Sequence, residues 1–319
     1  MRNLRMTLFG ISAGEASFER RGFRPSDRKA QHRLEVIGAT FLHGYHSALE
    51  LSRLTALEMR LLEGEPETQG FAFEGAAMAL GILDFLTPWK RNRFQQFLRG
   101  PGAPHKYMLH VGLGWAWARL PLSPTRSLAK LDPLLGWLAI DGYGFHEGYF
   151  NWPTYKAGRI AHPRRLNGYA TRVFDQGLGR SLWFVEGANI RRVGAAISAL
   201  DSARHPDLWS GVGLACAYAG ELDSHGLQEL RILAGPLADK MAQGAAFAAK
   251  ARQLAGNPAP HTDAACRVLC GMTADQAAAV TDRTLPDHSR GDMTAAYEIW
   301  RQRMQSEFAC EFAKEVAFA

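Results

Sequence analysis

Short segments that place a polar residue before glycine and then continue into small residues recur along this chain. They constrain its fold more than any other feature. The segment at 73–80, Phe-Glu-Gly-Ala-Ala-Met-Ala-Leu, is echoed at 242–249, and the segment at 110–118 is echoed at 210–218. The marker glycines are Gly75, Gly112, Gly148, Gly177, Gly213 and Gly244. Their spacing of roughly 30–37 residues is that of helical-hairpin repeats. Chance similarity among Gly/Ala-rich helices is the alternative, but the matching order of the two longer pairs favours a repeat.

Apolar residues at intervals of three and four predict long helices in several parts of the chain. The first series predicts a helix from about residue 34 to residue 62, with an interruption near Gly44. That series comprises Leu34, Ile37, Phe41, Tyr45 and Leu49. Ala-rich or periodic stretches predict further helices at 235–255, 262–282 and 292–317.

Strand signals are weak by comparison. Apolar runs at 134–140 and 181–185 are too short to assign, and the one Asn-Gly pair has no alternating strands beside it. The sequence therefore predicts an all-α fold, a single α-solenoid-like domain of stacked helical hairpins over residues 31–319. Residues 1–30 are expected to form an irregular N-terminal arm, and residues 158–168 are the best candidate for a loop.

The composition is that of a folded protein and excludes several classes. The net charge of +6 is mild, and the basic residues lie in scattered pairs rather than in a stripe with aromatic residues, so nucleic acid is not an expected partner. The four cysteines have no zinc spacing and are interpreted as small buried side chains. No run of 18 apolar residues occurs, so no transmembrane segment is expected. We expect a cytoplasmic protein whose N-terminal apolar residues can touch a membrane surface.

The stretch Asp141-Gly-Tyr-Gly-Phe-His-Glu-Gly-Tyr-Phe150 is the densest in chemically useful side chains. Its three glycines would each cost about 1 kcal/mol in a helix interior, so a loop or a helix N-terminus is predicted there. His146 beside Glu147 is a pair of the type that general acid–base chemistry uses. The alternative is a helix entry in which both residues serve as cap and hydrogen-bond partner.

Polar residues that directly precede marker glycines form the second set of candidates. If the repeats are equivalent, Glu74, Glu147, Gln176 and Gln243 face one shared cavity together with Asp175, and crowded carboxylates there have raised pKa values. The alternative is that each caps a helix or satisfies nearby backbone. Aromatic residues would line such a cavity, although aromatic side chains at helical spacing also build ordinary cores.

These considerations give two groups of candidate site residues. The predicted catalytic residues are His146, Glu147, Asp141 and Asp175. The predicted substrate-binding residues are Glu74, Tyr143, Tyr149, Trp183, Arg180, Trp209 and Gln243. The chain has no nucleophile elbow, zinc-binding helix or phosphate-binding loop, so no metal ligand is predicted and the cofactor is left unknown.

Several phrases in combination resemble one protein family, and they span residues 4–303. They include Gly70-Phe-Ala-Phe-Glu-Gly-Ala-Ala-Met78, Asp141-Gly-Tyr-Gly-Phe-His-Glu-Gly148 and Phe174-Asp-Gln-Gly-Leu-Gly-Arg-Ser-Leu-Trp183. The family is that of domain of unknown function 1702, the UnbL-type proteins of enediyne biosynthesis. The resemblance implies a role in natural-product pathways beside a polyene-forming polyketide synthase and a membrane electron-transport-like protein. It transfers no catalytic residues.

Two functional classes follow from the residues and the resemblance together. In the first, the protein is an enzyme that isomerises or cyclises a linear polyene or polyprenyl-like substrate by proton transfer. In the second, it is a non-catalytic helical scaffold that binds a polyene intermediate or partner biosynthetic proteins. A buried groove that holds the polar residues would favour the enzyme.

Overall fold

The computed structural model describes residues 4–87, 89, 92–156, 162–286 and 293–318. Within these ranges the regular structure is helical and no strand occurs, which confirms the all-α prediction. Of the short apolar runs that the sequence left unassigned, residues 135–140 and 181–185 lie in helical structure, and residue 134 is in the turn before it.

The α-helices are numbered here in chain order. The first nine are α1 (Leu4–Phe9), α2 (Phe18–Arg21), α3 (Arg28–Glu50), α4 (Leu54–Leu62), α5 (Pro66–Leu86), α6 (Arg93–Arg99), α7 (Lys106–Arg119), α8 (Pro124–Leu128) and α9 (Leu138–Lys156). The others are α10 (Tyr169–Val185), α11 (Ile190–Ser198), α12 (His205–Ala219), α13 (Ser224–Ala234), α14 (Ala238–Ala255), α15 (Pro260–Leu269), α16 (Ala274–Arg283) and α17 (Met293–Phe318).

The core is a row of long helices in which each packs against the next. The row runs in the order α3, α5, α7, α9, α10, α12, α14 and α16. Its members run in the same direction, because contacts advance together along neighbouring helices. Between α5 and α7, for example, Gly70 faces Met108 near the start of each helix and Gly81 faces Ala116 further along. Shorter helices such as α4, α6 and α8 connect successive members.

The row is curved, so that α3, α5 and α7 from its first half contact α12 and α14 from its second half. The Tyr218 hydroxyl on α12 lies against Gly70 on α5, and the guanidinium of Arg33 on α3 donates to the carbonyl oxygen of Ala219. The rings of Tyr107 on α7 and Phe247 on α14 lie 6.2 Å apart. The row is therefore more strongly curved than an open solenoid, and its inward-facing side chains surround a shared centre.

Glycines allow the row helices to approach each other backbone to backbone. A Cβ atom on Gly177 would lie 1.8 Å from the carbonyl oxygen of Asp141, and one on Gly144 would lie 2.1 Å from that of Phe174. Residues two apart on a helix point in nearly opposite directions, so a Gly-x-Gly pair opens both flanks of its helix. One glycine of each pair meets the preceding row helix and the other meets the following one.

This packing corrects the expectation that Asp141–Phe150 is a loop or a helix N-terminus. The stretch lies inside α9, because close contact with α7 and α10 outweighs the intrinsic helix cost of glycine. The interruption expected near Gly44 is likewise absent, since Gly44 meets the carbonyl of Ala72 on α5. The chain instead leaves the helix at residues 51–53, between α3 and α4.

The repeat itself is present, but two of its markers were misassigned. The glycines that meet the preceding row helix are Gly75, Gly112, Gly142, Gly177, Gly211 and Gly244. Their separations of 37, 30, 35, 34 and 33 residues keep the expected interval. Gly142 replaces Gly148 and Gly211 replaces Gly213, so Asp141 rather than Glu147 occupies the position before the glycine.

The N-terminal arm and α17 lie at opposite ends of the row helices: the arm is near their C-terminal ends and α17 is near their N-terminal ends. The N-terminal arm is not irregular throughout, since it contains α1, a 3-10 turn at Ala13–Ala16 and α2. It packs beside the C-terminal parts of α9 and α10, where Arg21 donates to the carbonyl oxygens of Tyr149 and Phe150. Helix α17 inserts Arg301 among the N-terminal parts of α10, α12 and α14.

Other sequence predictions can be compared with the described residues. The helix expected at 262–282 is two helices, because the chain breaks at residues 270–273 between α15 and α16. Cys216, Cys266 and Cys270 are buried as expected, whereas Cys310 is exposed. Of the expected loop at 158–168, residues 162–168 form no regular helix, and residues 158–161 lie outside the described residues.

One helix in the described part of the chain, α5, is long and apolar enough to cross a membrane by length and composition alone. Most of its apolar window is buried inside the fold. Its packing between α3 and α7 accounts for that composition, because a helix that is covered by a neighbour on both sides needs little polar surface.

Candidate functional site

An aromatic cavity lies between the middle of the row and the N-terminal arm, and we call it the outer cavity. Its empty space is about 560 Å³ when open solvent at the mouth is included, and about 50 Å³ of this can hold the centre of a water molecule. Seven of its fifteen lining residues are aromatic: Phe41, Phe71, Trp115, Phe145, Tyr149, Phe150 and Phe184. Such a wall suits a flat, apolar or conjugated ligand better than a polar one.

The N-terminal arm forms the outer wall of this cavity through Ile11, Glu15 and Ala16. Polar contacts hold the arm in place: the Tyr149 hydroxyl donates to the Glu15 carbonyl oxygen over 3.0 Å, and the Ile11 amide donates to His46 over 3.2 Å.

Two of the residues that line the cavity carry carboxyl groups, and their surroundings differ. Glu15 accepts hydrogen bonds from Arg20 and Arg21, and the Arg20 hydrogen bond lowers the pKa of Glu15. Glu74 is 1% exposed, and burial raises its pKa from 4.5 to about 7. The Arg180 charge and the Trp115 hydrogen bond only partly oppose that rise in pKa. Glu74 is therefore the carboxyl of this cavity that is populated in both protonation states near neutral pH.

The geometry of Glu74 leaves one carboxyl oxygen available. Its Oε1 accepts a hydrogen bond of 2.9 Å from the Trp115 indole nitrogen, while Oε2 is buried and has no hydrogen-bond partner among the residues that the structure describes. Glu74 precedes Gly75 in the repeat, and Gly75 lies against the α3 backbone at Phe41. The repeat thus directs the Glu74 side chain into the curled row, where the cavity wall excludes water from it.

His146 and Glu147 lie behind the cavity wall rather than in it. The His146 ring contacts Trp115 at 5.5 Å, and its two nitrogens face Arg119 and Glu147, each at 3.3 Å. Burial lowers the pKa of His146, so the ring is neutral at pH 7 and donates through Nδ1 to Glu147. Both nitrogens are occupied, and the catalytic role predicted for this pair stays a prediction.

Asp141 is in the core of the row and is fully buried. It forms an ion pair with Arg180 and accepts a hydrogen bond of 2.7 Å from Gln176. The amide oxygen of Gln176 then faces the Ser210 hydroxyl at 3.4 Å. Ser210 in turn donates to Gln243 over 3.0 Å. The residues before the marker glycines thus form a buried polar chain from α9 to α14.

Asp175 lies outside that chain, although it is next to Gln176 in sequence. It accepts from the Arg204 Nε at 3.1 and 3.0 Å and lies 2.9 Å from His162 Nε2. A helix turns about 100° per residue, so adjacent residues face different neighbours. The expected shared cavity for Glu74, Glu147, Asp175 and Gln243 is therefore wrong, because only Glu74 of these four lines the outer cavity.

The other predicted binding residues are divided between cavity and core. Tyr149 lines the outer cavity, while Arg180 lies one layer behind it with its guanidinium 4.8 Å from the Phe145 ring. Tyr143, Trp183 and Trp209 are buried in the core and do not line the outer cavity. Trp183 donates to the Gly220 carbonyl oxygen over 3.2 Å, which explains its burial without a ligand.

The sequence did not predict that the phenylalanines form the cavity wall. It also did not predict that Glu74 lines the outer cavity while Glu147, Gln176 and Gln243 do not. Phe41, Phe71 and Phe184 lie on three different helices, and no short spacing connects them in sequence. The sole available signal was the segment Phe71-Ala-Phe-Glu74 before a marker glycine, which places aromatic residues and a carboxyl on one helix.

With the geometry established, comparison with known proteins gives one match. The chain belongs to the family described as protein of unknown function DUF1702, whose model covers residues 1–308. No curated protein and no solved structure matches the chain.

Proposed function

We propose that this protein binds a linear polyene in the outer cavity and isomerises or cyclises it by proton transfer at Glu74. The observation that carries the proposal is a buried carboxyl with one unpartnered oxygen, set in an aromatic wall. Carboxyl groups without a structural partner are seldom buried, because the cost is several kcal/mol. The association with enediyne-type polyketide biosynthesis rests on sequence resemblance and forms part of this proposal.

The chemistry needs one group that both accepts and donates a proton. Glu74 as carboxylate takes a proton from one carbon of the chain, and as carboxylic acid it returns the proton to another carbon. The double bonds shift and the residue regains its initial state. A pKa of about 7 suits both steps, since neither form of Glu74 is rare at neutral pH. The aromatic wall holds the conjugated chain flat and excludes water.

Parinaric acid, a linear conjugated tetraene whose fluorescence rises in apolar surroundings, tests this function. We expect wild-type protein to bind it and to change its absorption spectrum over time. Glu74→Gln keeps the shape of the side chain and removes its acid–base chemistry, so binding should remain while the spectral change stops. Glu186→Gln, a buried carboxyl that does not line the cavity, is the matched control and should retain both properties.

Three results would count against the proposal in different ways. No binding by wild-type protein would exclude the outer cavity as a polyene site. An unchanged reaction in Glu74→Gln would exclude Glu74 as the proton carrier. Binding without any reaction in wild-type protein would favour the non-catalytic scaffold.

A further inference from the structure

A second, smaller cavity lies directly behind the outer one, between α7, α10, α12 and α14, and we call it the inner chamber. Most of its lining is apolar, including Val111 and Phe247, but Arg180 and Tyr218 also face it. Single side chains separate the two cavities. Phe71 and Phe145 line the outer cavity, and their rings contact Tyr218 and Arg180 respectively.

The polar groups of the inner chamber are incompletely bonded. Arg180 uses Nη1 for Asp141, but its Nε is buried and has no hydrogen-bond partner within the described ranges. The Tyr218 hydroxyl is also buried and has no partner in that part of the chain. Both groups can donate a hydrogen bond, and buried donors in proteins are nearly always paired. Two such donors around one small space indicate an acceptor atom that binds between them.

Glu74 lies beside this space. The Tyr218 hydroxyl lies against Gly70, where a Cβ atom would be only 1.9 Å away. Gly70 is one helical turn before Glu74 on α5, and helical side chains lean toward the N-terminus of their helix. Gly70 and Glu74 therefore lie on the same face of α5, and the charges of Glu74 and Arg180 both act on the Tyr218 hydroxyl.

We propose that the inner chamber binds a carbonyl oxygen at the buried end of the polyene, through the Arg180 Nε–H and the Tyr218 O–H. This inference rests on the proposed function and specifies its substrate as a polyene conjugated to a carbonyl group. The ligand end passes beside Glu74, between the Phe71 and Phe145 rings. The chamber is narrow, so it accepts the terminal oxygen and leaves the chain in the outer cavity.

The arrangement completes the proton transfer. When the Glu74 carboxylate removes a proton from a chain carbon, the electron pair of that C–H bond moves through the conjugated system to the carbonyl oxygen. Arg180 and Tyr218 stabilise the resulting enolate by hydrogen bonds, as in an oxyanion hole. Return of the proton to another carbon restores the carbonyl and leaves the double bonds displaced. No oxidant or reductant is needed. Asp141 is a positioning residue, because it holds the Arg180 guanidinium in place.

A matched pair of ligands tests the inference: a linear tetraenal, and the methyl-ended tetraene of the same length that lacks only the aldehyde oxygen. Binding is measured by displacement of parinaric acid fluorescence. We expect wild-type protein to bind the tetraenal about tenfold more tightly, the effect of roughly one well-made hydrogen bond to a buried donor. The tetraenal absorption band should also shift to longer wavelength when its oxygen is hydrogen-bonded.

Tyr218→Phe removes one donor and keeps the ring, so it should abolish most of the tetraenal preference and reduce the band shift. Its affinity for the tetraene should not change. Tyr297→Phe, a buried tyrosine of α17 that lines neither cavity, is the control and should behave as wild type. Equal wild-type affinities with no band shift would overturn the inference while leaving the proposed function intact. Failure of both ligands to bind would instead overturn the proposed function.

Discussion

The two ends of the row helices, one covered by α17 and the other by the N-terminal arm, each bury an ionisable side chain. The two side chains differ in how many of their polar atoms have hydrogen-bond partners. At the end covered by α17, Arg301 is 0% exposed and donates to Asp207 at 2.7 Å, Gln243 at 3.1 Å and the Tyr169 hydroxyl at 3.2 Å. At the end covered by the arm, Glu74 is nearly as buried, but within the described part of the chain it has one hydrogen bond and one unpartnered oxygen.

The difference separates a structural group from a candidate functional one. All three Arg301 nitrogens have partners, so the guanidinium is fixed and its charge is balanced by Asp207. The Glu74 carboxyl has no cationic hydrogen-bond partner among the described residues, and burial raises its pKa to about 7. Perturbed carboxyl groups beside a cavity are typical of functional sites, whereas saturated ion networks are typical of structural ones.

The largest expected effect comes from the structural end. Arg301→Met should lower the free energy of unfolding by about 3–5 kcal/mol, because it deletes three hydrogen bonds at once and leaves the buried Asp207 carboxylate with only the half-exposed Arg172 as a charged partner. Urea denaturation measures this loss. Arg303→Met, on the exposed face of the same helix, is the control and should change the free energy little. A loss no larger than that of the control would mean that the network does not stabilise this end.

A smaller effect, and one that depends on pH, is expected at the other end. The folded protein keeps Glu74 protonated up to about pH 7, whereas the unfolded chain releases that proton near pH 4.5. The folded state therefore binds more protons between these values, and the stability contributed through Glu74 falls as pH rises through this window. Relative to wild type, Glu74→Gln should gain about 3 kcal/mol of unfolding free energy between pH 4.5 and pH 8. A difference that does not vary with pH would show that Glu74 has an ordinary pKa.

The smallest expected effect comes from removing one hydroxyl at each end. Tyr169→Phe deletes a donor to Glu298 at 2.6 Å and an acceptor of Arg301, so it should cost about 1–2 kcal/mol. Tyr149→Phe deletes a single bond to the Glu15 carbonyl oxygen in the arm and should cost about 0.5–1 kcal/mol. Thermal or urea unfolding of both variants measures which of them loses more free energy of unfolding. The reverse order would indicate that the arm contributes more to stability than the α17 network.

Much of the fold could be predicted from the sequence, because helical periodicity and the glycine interval are local or regular signals. The helical class and the repeat interval needed no tertiary information. The site was predicted less well. Glu74 and Tyr149 were named and do line the outer cavity, whereas Asp175, Trp183 and Trp209 were named and are held in the core. A polar residue before a marker glycine is predicted to point into the row. The sequence does not show whether neighbouring side chains use all of its hydrogen-bonding atoms or leave one for a ligand.

The sequence by itself determined that the chain is helical and that its helices pack closely every 30–37 residues. Only the tertiary structure decided which glycine in each repeat meets the preceding row helix, and how strongly the row curves. Gly142 and Gly148 look equivalent in sequence, since each follows an acidic residue, yet only Gly142 lies against the carbonyl of Val111 on the preceding row helix. The curvature then brings α12 to α5 and surrounds Glu74 with side chains from distant parts of the chain. Burial, and with it the raised pKa of Glu74, depends on those long-range contacts, which no local pattern specifies.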